Sequence, residues 1–342
     1  MRIGRKPLGT LLMRVNLLTV GELDHAALRG IVRSSSGTTM SFYQDFNDKQ
    51  AIEAWHARPR APFRTLELKP LAPTLGAEVR GVDLSRALSD EQLGEIRRAM
   101  SEYFVLAFRD QRLDSEQHKQ FARRFGTLHR HVLAKSRAIA GGTDDPEILA
   151  WRTGSESRFT AGDGWHNDVS CDAAPIWASF LRITRLPEGG GGDTAFANMV
   201  LAYESLSPAY KAFLDTLTAV HDGALAWTAG YGSKPEPGKT FPASEHPVVA
   251  RHPVTGQKFL YVNASFTSHI VQLQRDESQA VLQQLFRHVE KQLSFQVRVH
   301  WEPNTLLYWD NWATQHHAVW DYFPQERWGE RVSACLEHGP QA

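Results

Sequence analysis

Two regimes of apolar and polar spacing run along this chain. Leu93, Ile96, Met100 and Phe104 recur at helical spacing. Ser89, followed by Asp90 and Glu91, predicts the start of that helix, with acids in its first turn. A second helix is predicted over residues 115–125 and stopped by Gly126. Residues 103–108 between them are β-rich. Upstream, residues 66–68 and 77–79 read as short strands about a turn. Beyond residue 145 the pattern changes to short apolar runs split by Gly, Pro and Asp, clearest at 176–183, 259–262, 295–300 and 305–309. Helical inserts are predicted at 202–217 and 276–292. Strands in succession with helices on the margin predict an α+β protein with a β-sandwich or barrel at its centre. Gly189 to Gly192 reads as a loop, because it lacks the Lys-Ser/Thr ending of a phosphate loop.

The N-terminal stretch departs from this pattern. Arg2, Arg5, Lys6, Arg14, Arg29 and Arg33 face only Glu22 and Asp24 before Thr39. Arg14 interrupts the apolar Leu11, Leu12 and Met13, which argues against the unbroken apolar core of a secretory signal. Met40 is a second candidate start beside Met1. Pro59, Pro62, Pro70 and Pro73 mark a linker. The expected organisation is a poorly ordered extension over 1–62 and one folded domain over 63–342.

Composition narrows the function classes. Lys+Arg and Asp+Glu both total 38, which argues against a broad basic surface for nucleic acid. No apolar run approaches the ~20 residues of a membrane helix. Only Cys171 and Cys335 are present, so a disulfide framework and a cysteine-rich zinc site are excluded and a cytoplasmic, reducing setting is expected. A homo-oligomer is compatible with all of this.

Candidate chemistry lies in two separated places. In Trp165-His166-Asn167-Asp168, residues two apart project to one face of a strand, which sets an imidazole beside a carboxylate. Far downstream, Thr314-Gln315-His316-His317 supplies a second imidazole, and periodicity alone does not choose between the two histidines. Two histidines and a carboxylate on one face of a metal form the facial triad of non-heme Fe(II) oxygenases, although a zinc hydrolase uses similar ligands. Arg327 and Arg331 follow within reach of that turn. An arginine fork binds a carboxylate bidentately, as a dicarboxylic cosubstrate would need at its far end.

These residues resemble the Fe(II)/2-oxoglutarate-dependent taurine dioxygenase family, of the TauD/TfdA type. The likeness runs from Leu66 to Gly339. It is carried by Leu75 to Leu84 (LGAEVRGVDL), Phe108-Arg109-Asp110-Gln111, Arg124-Phe125-Gly126, Trp165 to Val169, Gly191-Gly192-Asp193-Thr194, His252 to Gly256 (HPVTG), and Trp309-Asp310-Asn311 through His316. The resemblance implies a double-stranded β-helix, or jelly-roll, core with flanking helices. It implies Fe(2+), with 2-oxoglutarate as cosubstrate and O2. It makes His166, Asp168 and His316 the iron ligands, and Thr194 and Arg327 the holders of 2-oxoglutarate. His131, Arg331 and Val169 become the residues that meet a small anionic organic substrate.

The chain also departs from the family pattern. Trp312 stands where Arg is common, Val132-Leu133-Ala134 replaces a stretch with tyrosine, and Gly162 replaces an asparagine. Ala224 to Trp227 and Tyr231 are bulky in what is expected to be a substrate-bordering loop. These differences point away from taurine itself and towards a more apolar alkylsulfonate or alkyl sulfate ester. An aryloxyalkanoate or other carboxylate substrate is the alternative within the family. Outside it, the competing classes are a jelly-roll metal-dependent hydrolase, which would not consume 2-oxoglutarate, and a non-catalytic metabolite-binding protein.

Overall fold

Reciprocal side-chain caps fix two of the helix starts. Ser89 accepts from the Gln92 N–H while Gln92 accepts from the Ser89 N–H, and Asp114 and Gln117 repeat the exchange. Each cap stabilises its helix by roughly 1 kcal/mol. The structure is a computed structural model that describes residues 46–131, 143–160, 162–231, 238 and 240–342. In chain order its elements are α1 (Phe46–His56), β1 (Glu67–Pro70), β2 (Ala77–Arg80), α2 (Asp90–Tyr103), β3 (Val105–Phe108), α3 (Ser115–Arg123), β4 (Thr127–Leu128), β5 (Leu149–Thr153), β6 (Ile176–Arg185) and β7 (Thr194–Asn198). There follow α4 (Met199–Glu204), α5 (Pro208–Leu214), β8 (Thr218–Asp222), α6 (Gly223–Tyr231), β9 (Ala243–Pro247), β10 (Val249–Arg251), β11 (Lys258–Leu260), β12 (Thr267–Ile270), α7 (Arg275–Lys291), β13 (Gln296–Val299), β14 (Leu306–Asp310), β15 (Thr314–Ala318) and β16 (Arg327–Cys335).

The α+β architecture rests on two walls. The larger sheet has the order β1-β2-β3-β14-β6-β16-β4, with β5 also on β16; the smaller is β13-β7-β15. Only β2–β3 is parallel among the described pairs of the larger sheet. β6 lies between β14 and β16 and is buried along most of its length, which explains its unbroken apolar run. The walls meet through Phe196 of β7 and Trp309 of β14, whose ring centroids are 5.4 Å apart. This is the jelly-roll core with flanking helices. No helix among the described residues is long and apolar enough to cross a membrane.

Several elements differ from the sequence reading. The folded part begins before residue 63: α1 sets Trp55 into the core at 3% exposure, 5.8 Å from the ring of Phe104. The expected helix over 202–217 is two helices, because Pro208 cannot continue α4 and instead opens α5 behind the Ser207 cap. Ala224 to Trp227 form part of helix α6 rather than a loop. Residues 1–45, Val132 to Ala134 and the Tyr231 side chain lie outside the described residues.

Candidate active site

The backbone brings the two candidate segments together. His166 N–H donates to His316 O at 3.0 Å, and His316 N–H returns to His166 O at 2.9 Å. Buried asparagines lace the same segments. Asn311 Oδ1 accepts from Asp168 N–H at 2.8 Å, and its amide donates to the carbonyls of Asp168 and Ile176. Asn167 donates to the carbonyls of Asn311 and Thr314. Asp310 anchors the turn before β15 by accepting from Trp312 N–H and Ala313 N–H. Its other oxygen lies 2.7 Å from His252 Nε2. His252 Nδ1 accepts from Val254 and Thr255, so the proton belongs on Nε2 and is donated to Asp310. The HPVTG stretch thus buttresses the turn that leads into β15 and His316.

His166, Asp168 and His316 place one ligand atom each within 4.8 Å of one another. Both Nε2 atoms lie 3.7 Å from the same oxygen, Asp168 Oδ1. His166 Nδ1 donates to Gly164 O at 2.9 Å, which leaves the Nε2 lone pair directed at the cluster. Burial lowers the pKa of both rings, His316 most strongly, and keeps them neutral as ligands must be. Burial opposes the Asp168 charge, but the Arg331 guanidinium outweighs it and, with the Ser179 hydroxyl, holds the carboxyl well below its usual range. Ser179 donates to Asp168 Oδ2 at 2.9 Å. Two neutral imidazoles and one ionised carboxylate, converging from one side, fit an iron(II) ion.

β15 alternation decides between the adjacent histidines. His316 turns inward, whereas His317 packs edge-on to Trp165 at 5.7 Å and lies 3.7 Å from Asp163. Gly162 has a φ of +82°, and a Cβ there would sit 3.1 Å from His166 Cε1. A side chain at that position would crowd the ligand ring.

Arg327 is 2% exposed, and its guanidinium forms no ion pair or side-chain hydrogen bond among the described residues. Burial pulls its pKa down to about 10, against the pull of Tyr322 and Asp193. Its guanidinium carbon lies 5.7 Å from the Trp301 ring centre. Trp301 Nε1 donates to Thr194 Oγ1 at 3.1 Å, so Arg327 and Thr194 flank one indole. A Cβ on Gly192 would meet Arg327 Cδ at 2.7 Å, so the glycine makes room for the arginine. A buried cation without a partner is unfavourable unless an anion arrives. A carboxylate bound there would supply that charge.

Arg331 Nη1 donates to Asp168 Oδ1, while its Nε has no partner among the described residues. His131 is 6% exposed, and its Nε2 likewise has none. Arg331 and Asp168 both act on the His131 charge. Val169 is half-buried in the turn after Asp168, with a φ of 51° that is unusual for a β-branched residue. Trp312 is fully buried against Trp177 at 6.1 Å and belongs to the core. Trp227 packs on Phe241 at 5.5 Å. Sequence reasoning missed Ser179, Trp301 and the Asn167–Asn311 lacing. Ser179 was visible in principle, as one hydroxyl inside an otherwise apolar strand.

A family profile described as taurine catabolism dioxygenase TauD, TfdA family, matches residues 67–333. The chain belongs to that family. It is 34% identical over 302 residues to the alpha-ketoglutarate-dependent dioxygenase cnsP of Penicillium expansum, spanning 83% of this chain and 81% of that one. It is 34% identical over 288 residues to an alkylsulfatase of Acinetobacter baylyi, spanning 81% and 87%. The crystal structure of a taurine dioxygenase from Burkholderia xenovorans matches with a TM-score of 0.68 at 35% identity, covering 80% of this chain and 90% of that one. This member is accordingly a 2-oxoglutarate-dependent dioxygenase that uses Fe(II), 2-oxoglutarate and O2.

Buried histidines outside the cluster give the dioxygenase a pH signature. His118 and His221 are fully buried, and burial pulls both down to about 3. The unfolded chain therefore binds protons that the folded one refuses. Their contribution is complete above pH ~6.5 and is lost as pH falls towards 3, by about 1.4 kcal/mol per pH unit for each ring. Urea midpoints of the metal-free protein should fall steeply between pH 6 and 4, and less steeply in His118→Gln. A flat profile would mean that these rings are charged or solvated in the folded state.

Proposed function

We propose that the enzyme hydroxylates the carbon beside the anionic group of an alkylsulfonate or alkyl sulfate ester. The observation that carries this reading is the pair of buried polar atoms near Asp168, His131 Nε2 and Arg331 Nε, that lack partners among the described residues. They suit an oxyanion that only accepts hydrogen bonds. The names of two relatives, an alkylsulfatase and a taurine dioxygenase, support a sulfur oxyanion.

In this reading His166, Asp168 and His316 hold the iron. Bound there with 2-oxoglutarate, the iron supplies O2 activation, with release of succinate and CO2 and hydroxylation of a C–H bond. Arg327 and Thr194 hold the far carboxylate of the cosubstrate and fix its orientation. Asp168 stays ionised against its burial because Arg331 and Ser179 serve it. Arg331 and His131 hold the substrate's anionic group, and Val169 borders the reacting carbon. Positioning of this kind is where the protein lowers the barrier. The hydroxylated product then collapses to an aldehyde with sulfite or sulfate. We place the reaction in the cytoplasm, where the free thiols of Cys171 and Cys335 would stay reduced.

The test is succinate formation by the Fe(II)-loaded enzyme against alkylsulfonates, alkyl sulfates and aryloxyacetates. Stimulation by the first two, with sulfite or sulfate released in equal amount, is the expected result. Stimulation by aryloxyacetates alone would transfer the anion site to a carboxylate and overturn the sulfur reading.

A further inference from the structure

Behind His131 lie a second histidine and a carboxylate. His129 N–H donates to Ser333 O of β16, and His131 N–H donates to Pro146 O. The two rings meet with their Nδ1 atoms 3.3 Å apart and their planes at 69°. On its other side, His129 Nε2 lies 3.6 Å from Asp172 Oδ2. Asp172 is held in place by its own N–H, which donates to Val169 O, and by its carbonyl, which contacts His246 Nε2 at 2.9 Å.

Proton counting restricts what this row can be. At 3.6 Å the Asp172 carboxylate faces His129 Nε2 as a nearby charge rather than as a hydrogen-bond acceptor. The contact between the two Nδ1 atoms needs one proton, since two lone pairs repel and two protons collide. If His131 supplies it, a neutral His131 turns a bare lone pair on Nε2 towards the substrate's anion, which is repulsive. If His129 supplies it, His131 presents Nε2–H, and the Asp172 charge on the far side of the His129 ring draws the shared proton to the His129 side of the contact. Burial, with Arg331 second, holds His131 well below the usual histidine range, so a second proton on that ring is not the way out. Tautomer control through the far ring nitrogen is a general property of histidine.

We infer that His129, held by Asp172, is a positioning residue that fixes His131 as the Nε2–H tautomer, so that His131 and Arg331 both donate to the substrate's anionic group. This rests on the reading of His131 and Arg331 as the anion site. It adds that the site is built for a fully deprotonated oxyanion and depends on a residue that never touches it.

Steady-state kinetics of the Fe(II) enzyme with the best alkylsulfonate or alkyl sulfate test it. Asp172→Asn and His129→Gln should each raise the substrate KM about tenfold, as expected for a lost hydrogen bond to a charged group. The kcat and the KM for 2-oxoglutarate should hold, and Asp172→Glu should restore the substrate KM. A merely structural role would lower kcat and thermal stability together and would not be rescued in this way. In the Zn(II)-substituted enzyme with 2-oxoglutarate, 15N-histidine spectra should show His131 protonated on Nε2, moving to Nδ1 in Asp172→Asn. If His131→Ala and Arg331→Ala raise KM while Asp172→Asn and His129→Gln do not, the relay is wrong and the anion site stands. If His131→Ala and Arg331→Ala leave KM unchanged, the anion site fails and takes the relay with it.

Discussion

Replacing Arg327 with Met should abolish useful 2-oxoglutarate binding while making the ligand-free protein no less stable, and by the argument below more stable. The two effects have one cause. Arg327 is buried, and apart from the Trp301 ring its guanidinium has no ion-pair or hydrogen-bond partner among the described residues. Truncating one side of a buried, hydrogen-bonded charge pair costs about 2–5 kcal/mol of binding, or roughly 30- to several-thousand-fold in Kd. In the ligand-free protein no pair exists, and methionine fills the same apolar slot beside Trp301 without a desolvated charge. Calorimetric titration of 2-oxoglutarate into the metal-loaded protein reads the first effect, and the urea midpoint of the ligand-free protein reads the second. Loss of stability without loss of affinity would make Arg327 a structural residue.

Asp168→Asn should do the opposite to stability. Asp168 and Arg331 are a buried pair, with side-chain exposures of 4% and 11%. Removing the carboxylate charge leaves the guanidinium facing a neutral amide, and breaking a buried pair typically costs about 3–5 kcal/mol. Metal affinity should fall as well, because the cluster loses its one anionic ligand. The expected outcome is a metal-free protein with a clearly lower urea midpoint and no measurable succinate formation. An unchanged midpoint would mean that water, rather than Arg331, balances Asp168 in solution. The contrast between the two variants separates a charge that awaits a ligand from one already answered within the protein.

Much of this arrangement was legible in the chain because local chemistry and tertiary structure agree. Ser89 and Asp114 sit before Gln92 and Gln117 at cap spacing, and both caps form. His166 and Asp168 do converge, but not by strand alternation: His166 pairs only as a bridge and Asp168 already lies in a turn. Choosing His316 over His317 needed family likeness, since the register of β15 depends on its pairing with β7. Arg327 in a Glu-Arg-Trp-Gly-Glu-Arg stretch looks like a surface residue, and only the packing of β16 between β5 and β6 buries it. Helix α1 was missed because its stability comes from Trp55 entering the core rather than from a strong apolar stripe. Helix α6 was missed because Gly223 to Tyr231 is nearly all small or apolar, with no helical periodicity to read. His129 stood beside His131 in the sequence, but its contact with Asp172 is made only by the turn after Asp168.

The most direct test of the account is an anaerobic crystal structure of the protein with Mn(II) in place of iron and with 2-oxoglutarate. The predicted result has the metal on His166, Asp168 and His316 and the far carboxylate of 2-oxoglutarate on Arg327 and Thr194. Metal bound elsewhere, or 2-oxoglutarate bound with Arg327 still without a partner, would contradict it.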